Sequence, residues 1–315
     1  MRYRKSLWYS LAAIVVVLNI MTCNHAYRFT HFVAADPNAV RERPEDLSTS
    51  RRIRTAFTGA RLPKSHLSAT PSLPYQDWYT TTEPNLHSWW LPRAGSRKVA
   101  IVYHGYRGSK SGMINYGEAL HRMGYQVLLT DQRGHGGSSG YRTTIGYREA
   151  DDVAATVAQV RDSIGAYDEL LLMGQSMGAV AVMRAVATGQ VQPDRVILEC
   201  PYGTFRETVM ARFEAVGVPT VPLADMLMVY GTLQHGFNTY RLDPDTYAES
   251  LTMPTLLMWG QADDRVSRHE TDRIWKALPA AAKQRHYFPD VGHENYYAAD
   301  SIAWLHVVGN FVNVE

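Results

Sequence analysis

In the stretch Leu170-Leu171-Leu172-Met173-Gly174-Gln175-Ser176-Met177-Gly178-Ala179, an apolar run ends in Gly-x-Ser-x-Gly. It passes directly into helix-compatible sequence, Ala179-Val180-Ala181-Val182-Met183-Arg184-Ala185-Val186-Ala187. That order predicts a strand, a very tight turn and a helix. A serine at the tip of such a turn is held in a strained backbone conformation with its hydroxyl pushed clear of the sheet. Gly174 and Gly178, two residues away on either side, leave room where a Cβ would clash. The helix that begins here aims unpaired N–H groups at the same point, where they can stabilise developing negative charge. Ser176 is therefore the candidate nucleophile.

A serine hydroxyl needs a base to take its proton and a third group to orient that base. Two later loops, each following a strand-like run, carry suitable residues. The first is Gly260-Gln261-Ala262-Asp263-Asp264-Arg265-Val266, and the second is Pro289-Asp290-Val291-Gly292-His293-Glu294. His293 is the expected base, since of the 12 histidines only it lies in a Gly-His-Glu loop after the last strand. Asp263 is the expected orienting acid, with the better spacing to Val266. Its neighbour Asp264 is expected to face solvent or pair with Arg265. The backbone N–H of Met177, next to the nucleophile, is one expected oxyanion donor. The other is expected from His104-Gly105-Tyr106-Arg107-Gly108, at the N–H of Tyr106, while His104 itself is expected to hydrogen-bond its own loop.

Outward from this centre, strand-like and helical segments alternate. Runs at 76–81 and 86–91 suggest an antiparallel hairpin at a sheet edge, followed by strands at 98–103 and 125–131. A helix is expected over 147–164, with Val153, Ala154, Val157 and Val160 at helical spacing. Strands at 195–199, 254–259 and 285–288 and a helix at 301–312 complete the pattern. Such alternation implies right-handed crossovers and a mostly parallel sheet covered on both faces, an α/β fold. Between two core strands, residues 205–250 interrupt it with apolar pieces rich in Met, Leu and Val, too long for an ordinary connection. They are expected to form a cap over the C-terminal edge of the sheet, where Met210, Phe213, Met226 and Met228 would offer an adaptable apolar wall.

The full set of motifs resembles the α/β-hydrolase superfamily. The matching residues are His104-Gly105, Asp131-Gln132-Arg133-Gly134-His135-Gly136, Gly174-Gln175-Ser176-Met177-Gly178, Gly260 with Asp263, and Gly292-His293. Asp-x-Arg-Gly-His-Gly is similar to the monoglyceride-lipase and serine-aminopeptidase-like branch, whose members are lid-bearing serine hydrolases. The resemblance covers about residues 75–315. Ser267 departs from it, because relatives often carry proline there. It implies the α/β-hydrolase fold, the chain order Ser176, Asp263, His293 and an acyl-enzyme mechanism on a small-molecule acyl ester, while the apolar cap facing a membrane points to an apolar ester, with medium-chain acyl groups expected over acetyl. No metal or organic cofactor is implied. It does not fix the substrate, because this fold serves esterases, lipases, thioesterases and peptidases alike. The alternatives are a serine aminopeptidase, or a membrane-tethered binding protein without catalysis.

The chain has 315 residues, 32 basic and 30 acidic side chains, and a net charge of +2, so no global field favours nucleic acid. Two cysteines, Cys23 and Cys200, exclude a disulfide framework and a cysteine-based zinc site. At the N-terminus, Arg2, Arg4 and Lys5 precede an apolar run over 7–21, the order of a membrane anchor or signal segment. Residues 1–25 are expected to be that segment and 26–74 a polar extension, with a short helix over 48–57. The catalytic domain would then lie on the non-cytoplasmic side. The alternatives are secretion, or a lipoprotein attached through Cys23.

Overall fold

The structure, a computed structural model, describes residues 2–34, 48–81, 83–214, 217–279 and 283–313. Arg41 and Arg43 of the expected extension lie outside the described residues. In chain order the helices are α1 (Arg2–Thr30), α2 (Thr49–Thr58), α3 (Ile114–Arg122), α4 (Glu149–Ile164), α5 (Met177–Ala187), α6 (Phe205–Glu214), α7 (Leu223–His235), α8 (Pro244–Ala248), α9 (Arg268–Ala277), α10 (Tyr296–Ala299) and α11 (Ser301–Val312). The strands are β1 (Gln76–Tyr79), β2 (His87–Leu91), β3 (Lys98–Tyr103), β4 (Gln126–Thr130), β5 (Glu169–Gln175), β6 (Arg195–Glu199), β7 (Thr255–Gly260) and β8 (Lys283–Phe288).

These strands form one sheet in the order β1-β2-β4-β3-β5-β6-β7-β8. β1 and β2 pair antiparallel at the edge, β2 meets β4 antiparallel, and every pairing from β4 to β8 is parallel. This is the α/β-hydrolase fold, with a small cap inserted after β6.

The period-two alternation of strand side chains sorts the core into two layers. Ala100, Val102, Leu171, Met173, Ile197 and Met258 turn to the face covered by α3 and α11. Val99, Ile101, Leu170, Leu172, Val196, Leu198 and Leu257 turn to the face covered by α4, α5 and α9. A third apolar cluster lies above the strand ends. It joins Met177 and Val180 of α5 to Phe205, Val209, Leu227 and Met228 of the cap. Met210 and Phe213 pack against that cluster, whereas Met226 does not join it.

Beneath the elbow, Glu199 at the end of β6 is fully buried. Tyr116 of α3 and Trp304 of α11 donate to its two carboxylate oxygens, each at 2.7 Å. Burial pushes its carboxyl up to about 8, with those two donors pulling the other way.

One boundary differs from expectation. α1 runs unbroken past residue 25 to Thr30, and its last third lies against α7. Thr22, Ala26 and Thr30, at four-residue spacing, form its buried stripe. Earlier in the helix every side chain over residues 5–17 is exposed. Lys5–Thr30 is long and apolar enough to cross a membrane, with a mean hydropathy of 1.8.

The close approach of β5 and α5 yields a test. A Cβ on Gly178 would fall 2.5 Å from the carbonyl oxygen of Tyr103, a backbone atom of a central strand that cannot step aside. Gly178→Ala should lower stability by about 1–3 kcal/mol, the usual cost of overpacking. Chemical denaturation would measure this against Gly189→Ala. At that glycine no neighbour is close, and the cost is confined to its positive φ.

Candidate active site

Ser176 sits between β5 and α5 with φ 50° and ψ −113°, the strained turn its flanking glycines anticipate. Its N–H donates to the carbonyl of Glu199 at 2.8 Å, so the neighbouring strand end holds the turn. Ser176 Oγ lies 3.0 Å from His293 Nε2, and His293 Nδ1 lies 2.8 Å from Asp263 Oδ2. The carboxylate can only accept, so Nδ1 carries the proton and Nε2 is left to accept from the serine hydroxyl. The other oxygen of Asp263 accepts the backbone N–H groups of Arg265 and Val266 at 2.8 and 2.9 Å. That carboxylate is fully shielded from solvent, whereas Asp264 is 87% exposed and 4.0 Å from Arg265.

Burial disfavours the charged form of His293. The neighbouring sulfur of Cys200 and the Asp263 carboxylate outweigh it, and the His293 pKa stands above the ordinary histidine value. Cys200, Asp263 and His293 present ligand-type atoms within 4.8 Å of one another. In this set the imidazole already serves both Asp263 and Ser176, so its nitrogens are engaged without an ion. Cys23 and Cys200 are both free thiols.

Met177 opens α5, where the first-turn N–H groups lack intrahelical acceptors. Tyr106 lies on the loop after β3. The preceding Gly105 packs its backbone against Ser176, so that a Cβ there would stand 3.4 Å from Ser176 Cβ. This loop is zipped to the one after β4. His104 Nδ1 donates to Gly105 O at 2.8 Å, and its Nε2 accepts the Gln132 N–H at 3.1 Å. Gln132 in turn donates to His104 O at 2.7 Å. Arg107, with φ 60°, gives its N–H to His135 Nε2 at 3.2 Å. His135 is buried, which pushes its pKa down to about 3, so it is neutral and can accept.

The deepest tie is ionic. Lys110 and Asp131 are both fully buried and meet at 2.6 Å. The Lys110 N–H reaches the other oxygen of Asp131, also at 2.6 Å, and Gly137 N–H adds a third donor at 2.8 Å. Burial works against the charge on Asp131, but Lys110 foremost outweighs it and holds the carboxyl below its usual range. Lys110 Nζ also meets His87 Nδ1 at 2.9 Å and stands 4.7 Å over the Trp89 ring. Arg133 of the same loop grips Asp152 on α4 at 2.6 Å.

Sequence reasoning assigned no work to Lys110, Arg133 or His135, although two of them stand inside the quoted Asp-x-Arg-Gly-His-Gly stretch. A motif mixing three ionisable residues with two glycines is itself a signal of a buried polar network. Reasoning from sequence also left out the cap's pairings. Glu207 pairs with Arg273, and Asp225 pairs with Arg206 at 2.7 Å.

Comparison with known proteins places this geometry in context. The family described as serine aminopeptidase S33 matches residues 94–235. An uncharacterised Mycobacterium tuberculosis protein is 30% identical over 236 residues, covering 72% of this chain and 74% of that one. The lysophosphatidylserine lipase ABHD12 of Xenopus tropicalis is 23% identical, over 69% of this chain and 58% of the lipase. The same 58% share holds for an uncharacterised Bacillus subtilis relative that is 27% identical, so the chain spans little more than half of either protein. Among solved structures, the Pyrococcus furiosus esterase Pf2001 superposes with a TM-score of 0.66 at 25% identity, covering 79% of this chain and 97% of the esterase.

The Lys110–Asp131 pair generates the prediction here. Lys110→Met leaves a buried carboxylate without its counter-ion and should cost about 3–5 kcal/mol. The double variant Lys110→Met, Asp131→Leu should recover much of that loss, because the stranded charge is the costly part. A denaturant-unfolding cycle over the two single variants and the double variant measures it.

Proposed function

The chain belongs to the α/β-hydrolase superfamily, and from that premise we propose that it is a hydrolase that cleaves carboxylic esters through Ser176, His293 and Asp263. The observation that carries this reading is the hydrogen-bonded series Ser176–His293–Asp263, at 3.0 and 2.8 Å. In the proposed mechanism Ser176 Oγ attacks the ester carbonyl carbon while its proton passes to His293 Nε2. The N–H groups of Met177 and Tyr106 receive the oxyanion. As the tetrahedral intermediate collapses, the C–O bond to the alcohol breaks and His293 returns the proton to the departing oxygen. Water, deprotonated by His293, then releases the acyl group from Ser176.

The apolar cluster that joins Met177 to the cap supports an apolar acyl ester as the substrate. The lysophosphatidylserine lipase and the esterase among the similar proteins support the same class. An aminopeptidase would need free carboxylates in the cap to hold a substrate amino group. The cap's carboxylates Glu207, Glu214 and Asp225 are instead dispersed, and two of them, Glu207 and Asp225, pair with Arg273 and Arg206. The α1 segment would anchor the protein, with the catalytic domain on the non-cytoplasmic side by the positive-inside bias.

Steady-state hydrolysis of p-nitrophenyl esters by the full chain tests the chemistry. Ser176→Ala should abolish turnover, and Asp263→Asn should lower kcat by about 10⁴. The base must be neutral to act, so the raised pKa of His293 places the acid limb of kcat/KM above the ordinary histidine range. Activity should climb as pH rises through that limb. Removing the Asp263 charge should move the limb to lower pH, while Asp264→Asn should leave it in place. An effect confined to Asp264 would overturn the assignment.

The orientation has its own test. Protease added outside intact cells or spheroplasts should digest the catalytic domain. Full protection would reverse the topology.

A further inference from the structure

Phe29 stands on the last turn of α1, in the sequence expected to be a polar extension, yet it meets the machinery around Ser176. Tyr106, whose neighbour Gly105 touches Ser176, donates its hydroxyl to the carbonyl oxygen of Phe29 at 2.6 Å. The Phe29 ring lies 5.1 Å from the Tyr106 ring and 6.4 Å from that of Phe205 on the cap. Three separate parts of the chain thus place one aromatic ring each at the same point. Arg212 of α6 closes the arrangement from the solvent side, its guanidinium 4.1 Å over Phe29 and 4.9 Å over Tyr106.

The helix end is fixed there by directed bonds as well as by packing. Tyr230 of α7 donates to Asn19 at 2.7 Å, and Gln234 donates to the carbonyl of Cys23 at 2.9 Å. Thr30 Oγ1 meets His235 Nε2 at 2.8 Å. Beyond the helix, Thr143 N–H reaches Thr30 O and Phe32 N–H reaches Tyr141 O, at 2.9 and 2.7 Å. With the Phe29 ring in place, the apolar space between α1, Ile145 and Phe205 is a cavity of about 10 Å³. A void of that size holds at most one water, and no acyl chain.

We propose that Phe29 sets the acyl length accepted at Ser176: its ring occupies the space that the distal methylenes of a longer acyl group would enter. The inference rests on the ester-hydrolase reading above and makes the N-terminal helix a working wall of the catalytic site. Short acyl groups react with the ring in place. Longer ones must displace it from Tyr106 and Phe205.

The test is the ratio of kcat/KM for p-nitrophenyl octanoate over p-nitrophenyl acetate, measured on the full chain. Being a ratio within one preparation, it is insensitive to the fraction of protein that folds. Phe29→Ala should raise the ratio at least about tenfold, as expected for two or more newly accommodated methylenes. Phe29→Leu, which keeps most of the packing, should raise it less, and Phe29→Trp should lower it. Ratios within twofold of the native chain for all three variants would overturn the gate while leaving the ester reading intact. A native chain that turns over neither ester would overturn both.

Discussion

A serine held at φ 50° is the constraint from which the architecture of this site follows. An L-residue adopts that conformation only when its surroundings over-determine it, at a cost of order 1–3 kcal/mol. Here the surroundings are the C-terminal ends of adjacent parallel strands. β6 takes the Ser176 N–H on the Glu199 carbonyl, and Gly178 rests against the carbonyl of Tyr103 at the end of β3. The Glu199 side chain is itself fastened by one helix from each end of the chain's catalytic region, through Tyr116 and Trp304. The turn is thus tied through one buried carboxyl to α3 and α11, and the hydroxyl is presented from the stiffest part of the sheet.

The loop beside Ser176 is stabilised differently. It has no regular structure to pair its backbone, so neutral imidazoles and one buried ion pair do that work. His104 and His135 each use one ring nitrogen as donor and the other as acceptor, which only the uncharged ring allows. Deep burial keeps them in that state. Lys110 and Asp131 contribute charge, and charge in such a place is tolerable only because every partner is present. The polar residues around the site therefore act first as architecture. Ser176 stands at the edge of that network.

What could be read from the sequence was what local pattern determines. The strand–turn–helix around Ser176, the two acidic and histidine loops and the alternation of strands with helices each lie within a short window, and the fold followed from them. The course of α1 was less legible. Its change from apolar to polar near Asn24 looks like the end of a membrane segment, and composition gives no reason to continue the helix. A signal was present in Thr22, Ala26 and Thr30, one face of a helix at four-residue spacing. Two of the three are threonines, however, and only contact with α7 and His235 makes that face an interior one. Lys110 was hidden for a similar reason. A lysine followed by Ser-Gly reads as surface, and its counter-ion lies in a different loop.

The unbroken course of α1 has a mechanical consequence. Residues 5–17, exposed throughout, reach about 20 Å at the rise of an α-helix. A bilayer's hydrocarbon is about 30 Å thick. A membrane taking up this helix would either thin around it or draw the α7 side of the cap down to its surface, since no slack joins the two. Tilt is the usual way a helix answers a change in thickness. Here a tilting span would swing the same helix that carries Phe29 on its last turn, passing bilayer thickness to the rings of Tyr106 and Phe205 as a lever does.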